Sequence, residues 1–408
     1  MLSEKRQQQV RDLCVSLIRE ESLSGKEQGV VEKLKSSMLN MGYDAVHVDK
    51  YGNCIGHIKG SRAGKTVLFD GHIDVVPVQD ESKWSHAPYA GEVSDGRMWG
   101  RGTSDMKCAV GSMACAAAFF AEDTKRDFAG DIYVAGVCHE ECFEGVAARE
   151  ISKNTRPDYV VIGEASQMDL KVGQRGRAEI MVETFGRPAH SANPEAGVNA
   201  AVKMIDLIRR IRLLPLTEHE HLGKGILELS DIKSFPYPGA SVVPEYCVAN
   251  FDRRLLVGET PDGVLQPIRD IISQMEKEDP DFKGKVSYSH GKERCYTGEG
   301  IEADRFFPAW LFSPEEEYIQ AVYNEFVRMG HTPNIGYWHF CTNGSHYGGE
   351  AGIRTLGFGP GDLNTAHIID EYMPMDQLMK ATRLYTGILR ALLVDKPEVG
   401  CGNGRGSE

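Results

Sequence analysis

The chain of 408 residues is too long for one ordinary hydrophobic core and points to two domains. With 41% hydrophobic and 26% charged residues its composition is that of a globular protein, and a formal net charge of -13 sets the average field against nucleic acid or an anionic membrane as partner. Residues 1–9 lack the apolar core of a signal peptide and no later stretch reaches the ~20 apolar residues of a membrane span, so a cytoplasmic location is expected.

Val10, Leu13, Cys14, Leu17 and Ile18 recur at helical spacing and predict one apolar helix face; a second helix is expected over 26–40. Segments 45–48 and 54–58 flank Tyr51-Gly52-Asn53 and read as a hairpin. Thr66 to Phe69 is β-branched and aromatic, a buried strand whose tip carries Gly71-His72-Ile73-Asp74. His72 and Asp74, two residues apart, point the same way. A carboxylate that accepts one ring N–H leaves the other nitrogen free for a metal. A core histidine satisfied by a neighbouring Asp gives the same pattern, and this stretch alone does not separate the two readings.

Residues 98–107 are glycine-rich and run into a helix over 109–121, which puts Asp105 near a helix N-terminus, where a carboxylate is favoured. A strand over 132–138 ends in His139-Glu140-Glu141, and one over 159–162 ends in Gly163-Glu164. Three apolar strands thus finish in acidic or histidine residues with helical segments between them. In an open α/β sheet that edge is where ligands bind. His72, Asp105, Glu140, Glu141 and Glu164 can therefore converge on one site. The ten cysteines lack the CxxC pairs of a structural zinc site and suit reduced packing thiols. Cys138 and Cys142 bracket His139, which leaves a thiol hydrolase as a rival reading.

From about residue 176 the texture changes to strand 178–185, helix face 198–208, strands 226–235 and 246–252, helix face 264–275 and strand 285–289. This β-α-β-β-α-β order is that of a ferredoxin-like unit. The α/β character resumes with a helix over 314–329, a strand over 353–358 and a helix over 376–394, while the tail Gly400 to Gly404 is expected to be disordered. The division read is a catalytic domain over 1–175 and 293–408, interrupted by an inserted α+β domain over 176–292.

Taken together, Gly71-His72-Ile73-Asp74-Val75-Val76-Pro77 and Gly100-Arg101-Gly102-Thr103-Ser104-Asp105-Met106-Lys107 resemble the first two motifs of the aminoacylase, acetylornithine deacetylase and succinyl-diaminopimelate desuccinylase family of co-catalytic metallopeptidases. The resemblance continues, in family order, through His139-Glu140-Glu141, Gly163-Glu164-Ala165, Gly186-Arg187-Pro188-Ala189-His190-Ser191 and Ala366-His367. Leu356 to Gly361 and Asp252-Arg253-Arg254-Leu255 further resemble the branch described as selenium metabolism-linked hydrolases.

The resemblance implies an α/β, zinc-exopeptidase-like catalytic domain with a mixed sheet flanked by helices, and an inserted ferredoxin-like α+β domain serving as lid and dimerisation surface. It implies two divalent metal ions, zinc expected and cobalt or manganese as alternatives. His72 and Glu164 would bind one, Glu141 and His367 the other, with Asp105 bridging and Asp74 supporting His72. Glu140 would act as general base toward the attacking water and hand the proton to the leaving nitrogen. His190, on the lid, would reach the scissile carbonyl of a neighbouring subunit in a homodimer. Arg254 would clamp a substrate carboxylate, with its neighbour Arg253 as the alternative.

The activity implied is hydrolysis of an N-acyl or N-carbamoyl amino acid or a similar small carboxylate-bearing amide. Di- or aminopeptidase activity, or a non-catalytic binding relative, are the alternatives. Ser241 stands where many relatives carry asparagine, and His346 reads as either a pocket or a loop residue. Lys107 and Arg101 read as structural ion-pair partners, and His86, His219, His221, His331 and His339 as surface or packing residues.

Overall fold

The apolar run Val67-Leu68-Phe69 is buried on both faces because the strand that carries it, Arg62–His72, lies inside a nine-stranded sheet. It pairs in parallel with Ala129–Val137 on one side and Tyr159–Ile162 on the other. A parallel strand covered on both faces needs an unbroken apolar sequence, and this one has it. Beyond Tyr159–Ile162 the sheet continues through Arg354–Gly357 and Leu170–Gln174. Beyond Ala129–Val137 it ends in the antiparallel pair Cys54–Lys59 and Ala45–Val48. The computed structural model describes residues 1–394, so the glycine-rich tail expected to be disordered lies outside the described residues.

Side-chain alternation sends Val67 and Phe69 into one core and Leu68 into the other. The first core is covered by helices Glu4–Ile18, Gln28–Asn40, Lys107–Asp123, Glu317–Arg328 and Met375–Leu393. The alanine-rich Lys107–Asp123 helix is buried along nearly its whole length, its small side chains letting other helices approach. At Gly111 a Cβ would lie 2.9 Å from Cys14 Sγ, so glycine lets the first helix approach without displacing that side chain. The second core holds Phe143, Trp310, Trp338 and Tyr347, the last in a π-helical turn, Ser345–Glu350, that the sequence pattern did not reveal.

A second sheet is formed by Gly176–Phe185, Ile226–Phe235, Tyr246–Leu255 and Lys283–Tyr288, all antiparallel, in the spatial order second, third, first, fourth. Helices Ala200–Ile211 and Pro261–Glu278 bury Leu207, Ile208, Leu265 and Ile268 against its Ile180, Val182 and Phe251. This is the arrangement the β-α-β-β-α-β reading requires. The chain does not leave this sheet at 292, however. A hairpin of His290–Arg294 and Gly300–Asp304 turns it back, and Phe306–Phe307 pairs with the Gly176–Phe185 strand before the chain rejoins the large sheet at Trp310–Leu311.

Phe69 packs edge-on against Tyr385 of the last helix, ring centroids 5.3 Å apart, and has no exposed surface. Phe69→Ala is expected to lower unfolding free energy by about 3–5 kcal/mol. Denaturant titration of the variant against the parent chain checks this.

Candidate metal centre

The parallel register brings the strand ends together. His72 is the last residue of its strand and pairs with Val137, directly before the 138–141 turn, while Asp70 pairs with Ile162, two residues before Glu164. Asp105 comes from the glycine-rich loop ahead of the Lys107–Asp123 helix and His367 from the loop ahead of Tyr372–Pro374. His72 Nε2 lies 2.7 Å from Asp105 Oδ1 and 3.5 Å from Glu164 Oε1. His367 Nε2 lies 3.0 Å from Asp105 Oδ2 and 3.1 Å from Glu141 Oε1. Asp105 therefore presents a different oxygen to each imidazole. The ligand atoms fall into two overlapping groups that share His72, one with Glu140 and Glu164 and the other with Asp105 and Glu141, and His367 adjoins the second through Asp105 and Glu141. Glu140 is buried beside them, its ligand atom within 4.8 Å of those of His72 and Glu164.

Electrostatics support cation binding at these sets. Burial holds the Glu140 carboxyl well above the usual range and pushes Glu164 up to about 8, with the nearby Asp105 charge adding to the latter. Glu141 is raised by the same two causes. Burial opposes the charged form of His72, but Asp105, Glu140 and Glu164 outweigh it and hold its pKa well above the ordinary value. His367 is raised to about 10 by its bonds to Asp105 and Glu141. Burial alone would raise Asp105; the imidazoles of His367 and His72 win and hold it well below. These shifts share one cause, carboxylate oxygens crowded in a poorly solvated space, and divalent cations would relieve that crowding. A donor set of imidazole nitrogen and carboxylate oxygen suits zinc, cobalt or manganese.

Asp74 acts differently from the expected side-chain support of His72. His72 Nδ1 meets the backbone carbonyl of Asp74 at 2.9 Å, whereas the Asp74 carboxylate stands 3.7 Å away. The strand has ended at His72, so the period-2 alternation that would align the two side chains no longer applies. The carboxylate instead accepts the Glu140 and Glu141 backbone N–H groups at 3.1 and 3.2 Å and the Ser24 hydroxyl at 2.7 Å.

Glu371, which sequence reasoning missed, does the same for Asp105. It accepts the N–H groups of Ser104 and Asp105 at 2.8 and 3.1 Å and pairs with Arg101. Among the described residues Lys107 has no ion-pair partner. Its ammonium is fully buried and donates to the Glu20 carbonyl and the Ser22 hydroxyl. Three residues past Glu141, Glu144 pairs with Arg177 of the second sheet, which also reaches Asp252.

Other candidates stand apart from the metal sets. His190 contacts none of the ligands of its own chain, and its Nδ1 accepts the Ala192 N–H at 3.0 Å. Arg253 is buried and donates to Glu259 and to the Ile226 carbonyl. Arg254 lies on the opposite face of the strand, 28% exposed, and pairs with Asp252 at 2.8 Å. His346 is held between Ser152 and Glu350, the latter also paired with Arg149, and so belongs to packing rather than to a pocket. Cys138 is buried and Cys142 half-buried, and burial raises both thiols. Among the described residues no hydrogen bond joins a ring nitrogen of His139 to either thiol, so the geometry gives the thiol-hydrolase reading no support.

Residues 68–391 match the sequence profile of Peptidase family M20/M25/M40. The chain belongs to this family. Uncharacterized protein YgeY of Escherichia coli (strain K12) is 32% identical to the M20 chain over 372 residues, 90% of each. Succinyl-diaminopimelate desuccinylase 2 of Ruegeria sp. (strain TM1040) is 28% identical over 394 residues, 93% of this chain and 94% of its own. Among solved structures, the YXEP protein of Bacillus subtilis, described as a dinuclear metal binding peptidase from the M20 family, matches with a TM-score of 0.71 at 12% identity, covering 96% of this chain and 98% of its own. The M20 chain is a hydrolase acting on amide or peptide bonds. No helix of the described residues is long and apolar enough to cross a membrane.

The raised groups fix the sign of a pH effect in the metal-free protein. His367 is stabilising while protonated, fully so below its ordinary 6.5, and that contribution is lost as pH rises through about 10. Glu164 prefers its acid form, so the fold is opposed as pH rises from 4.5 through about 8. Both slopes run the same way, and thermal stability of the metal-free protein is expected to fall between about pH 5 and pH 10. Metal titration at about pH 7 should release protons, because the ligands bind deprotonated. Calorimetry in buffers of different ionisation heat measures the release, and zero release would contradict these assignments.

Proposed function

We propose that this M20 enzyme is a dinuclear amidohydrolase that cleaves the amide of an N-acyl or N-carbamoyl amino acid, or a similar small substrate bearing a carboxylate. The observation that carries the reading is the Asp105 carboxylate shared between His72 and His367, with the buried Glu140 alongside. His72, Asp105 and Glu164 would hold one divalent ion and Asp105, Glu141 and His367 the other, zinc being the expected metal and cobalt or manganese the alternatives. Bound there, the ions supply Lewis-acid polarisation of the scissile carbonyl and lower the pKa of the attacking water. Glu140 takes the proton from that water and delivers it to the leaving nitrogen. Its backbone is fixed by Asp74, so the carboxylate approaches from a set direction. Arg254, with donors beyond its pair with Asp252, binds the substrate carboxylate, whereas Arg253 is committed to Glu259. The desuccinylase name of a full-length relative favours N-acyl substrates over dipeptides.

Glu140→Gln is expected to lower kcat by roughly 100- to 10,000-fold with metal content unchanged. Chelation should abolish activity, zinc, cobalt or manganese should restore it, and a thiol blocker should leave it intact. A screen of N-acyl, N-carbamoyl and dipeptide substrates on metal-loaded protein separates deacylase from peptidase. Near-parental turnover by Glu140→Gln would remove Glu140 from the mechanism.

The second sheet is proposed to pair two subunits, each lending His190 to its partner's site. Ile226–Phe235 is an edge strand with exposed Ile226 and Ile232, and the neighbouring helix exposes Val202 and Ile205. His190→Ala is expected to cut kcat while both metals stay bound. Sedimentation of the active protein as a monomer would rule out the shared site.

A further inference from the structure

Four consecutive backbone amides lead into the catalytic carboxylates, and each is held by a side chain from elsewhere in the chain. Cys138 N–H donates to Asn53 Oδ1 at 2.8 Å and His139 N–H to Glu27 Oε1 at 3.3 Å; Glu140 and Glu141 N–H donate to the two oxygens of Asp74. The Ala129–Val137 strand has ended, so none of the four belongs to its ladder. His139 turns with φ 58°, in the left-handed region where a side chain adds strain. A turn of this kind does not set its own geometry. Its supports do.

Glu27 is the support with no other assignment. It precedes the Gln28–Asn40 helix and has no exposed surface. Its Oε1 also accepts the Gly25 N–H at 2.9 Å, and its Oε2 has no partner among the described residues. A buried carboxylate with one oxygen unpartnered is costly. Its other oxygen offsets that cost by accepting two backbone amides, that of Gly25 and that of His139, the residue before Glu140.

We propose that Glu27 is a positioning residue for amide hydrolysis, setting through the His139 N–H the backbone from which Glu140 and Glu141 project. Asp74 fixes the next two amides, and Ser24, three residues before Glu27, fixes Asp74. The segment between the first two helices thus controls the turn from behind, and Glu27 touches neither metal ligand nor substrate. The proposal rests on the reading of Glu140 as general base, because displacement of a proton-transfer group by a fraction of an ångström is what lowers turnover.

The test compares Glu27→Ala, Glu27→Gln and the parent chain in two independent measurements. On metal-loaded protein, Glu27→Ala should lower kcat about 10- to 100-fold with KM within about twofold and two metals retained, while Glu27→Gln, whose amide oxygen can accept the same N–H, stays within about threefold of the parent. On metal-free protein, hydrogen exchange over residues 138–141 should speed up in Glu27→Ala and remain slow in Glu27→Gln. Parental kcat in a folded Glu27→Ala overturns the proposal, as does unchanged exchange in the turn. A loss of thermal stability with kcat intact reduces Glu27 to packing and overturns it equally. If Glu27→Ala does not fold, Glu27→Asp, which keeps the charge and withdraws the acceptor by one methylene, is read by the same two criteria. The exchange measurement needs no substrate, so failure of the amidohydrolase reading and failure of the Glu27 proposal give different results.

Discussion

One carboxylate organises this molecule. Asp105 faces imidazoles that reach it from positions 72 and 367, and each takes a different oxygen. Around that carboxylate the fold buries Glu140 and Glu164 and half-buries Glu141, and so many like charges in a weakly solvated space repel one another unless cations separate them. The raised imidazole and glutamic acid groups of the metal-free chain reflect the same repulsion. Everything else in the large sheet can be read as the means of holding these groups close despite it. Parallel strands deliver the side chains to one edge, and covered faces keep water from screening them.

The device that resists the repulsion is used twice. Asp74 takes two successive backbone amides of the turn that carries Glu140 and Glu141, and Glu371 takes two successive amides of the loop that carries Asp105. Both carboxylates are buried, and each has a further partner, Ser24 for Asp74 and Arg101 for Glu371. In each case a carboxylate grips the main chain and leaves the working side chains unencumbered. Charge-assisted bonds to amides are short and directional, which makes them suited to fixing a backbone against a strong local field.

The strand ends were legible because burial on both faces writes itself as an unbroken apolar run, and the residue that breaks the run is the one that emerges at the edge. His72 and Glu164 announce themselves in this way. The choice between Arg253 and Arg254 was also open to reading: Phe251 and Leu255 flank Arg253 at a spacing of two, which puts it on the helix-covered face, while Arg254 shares the polar face with Asp252. Glu27 and Glu371 were not legible. Their partners are backbone amides 112 and 266 positions away, and a backbone donor leaves no mark on sequence pattern. Asp74 is hidden for a related reason: the strand stops at His72, and alternation says nothing of a side chain beyond that point.

The position of Arg354–Gly357 in the large sheet has a consequence for how the protein is made. This strand is the inner neighbour of Tyr159–Ile162 and bridges it to Leu170–Gln174, yet it is synthesised long after both. While the ribosome is translating the second sheet, Tyr159–Ile162 has an open flank of unpaired peptide groups, and no later residue has yet supplied His367. A nascent chain at that stage holds His72, Asp105 and Glu164 but lacks the strand that closes the sheet beside them. Contacts so distant in sequence form slowly, and an open apolar strand edge is the surface on which chains aggregate. The interval between residues 162 and 354 is therefore the period in which the newborn chain most needs shielding, and pairing within the second sheet, whose strands all come from that interval, shortens the loop that remains to be closed.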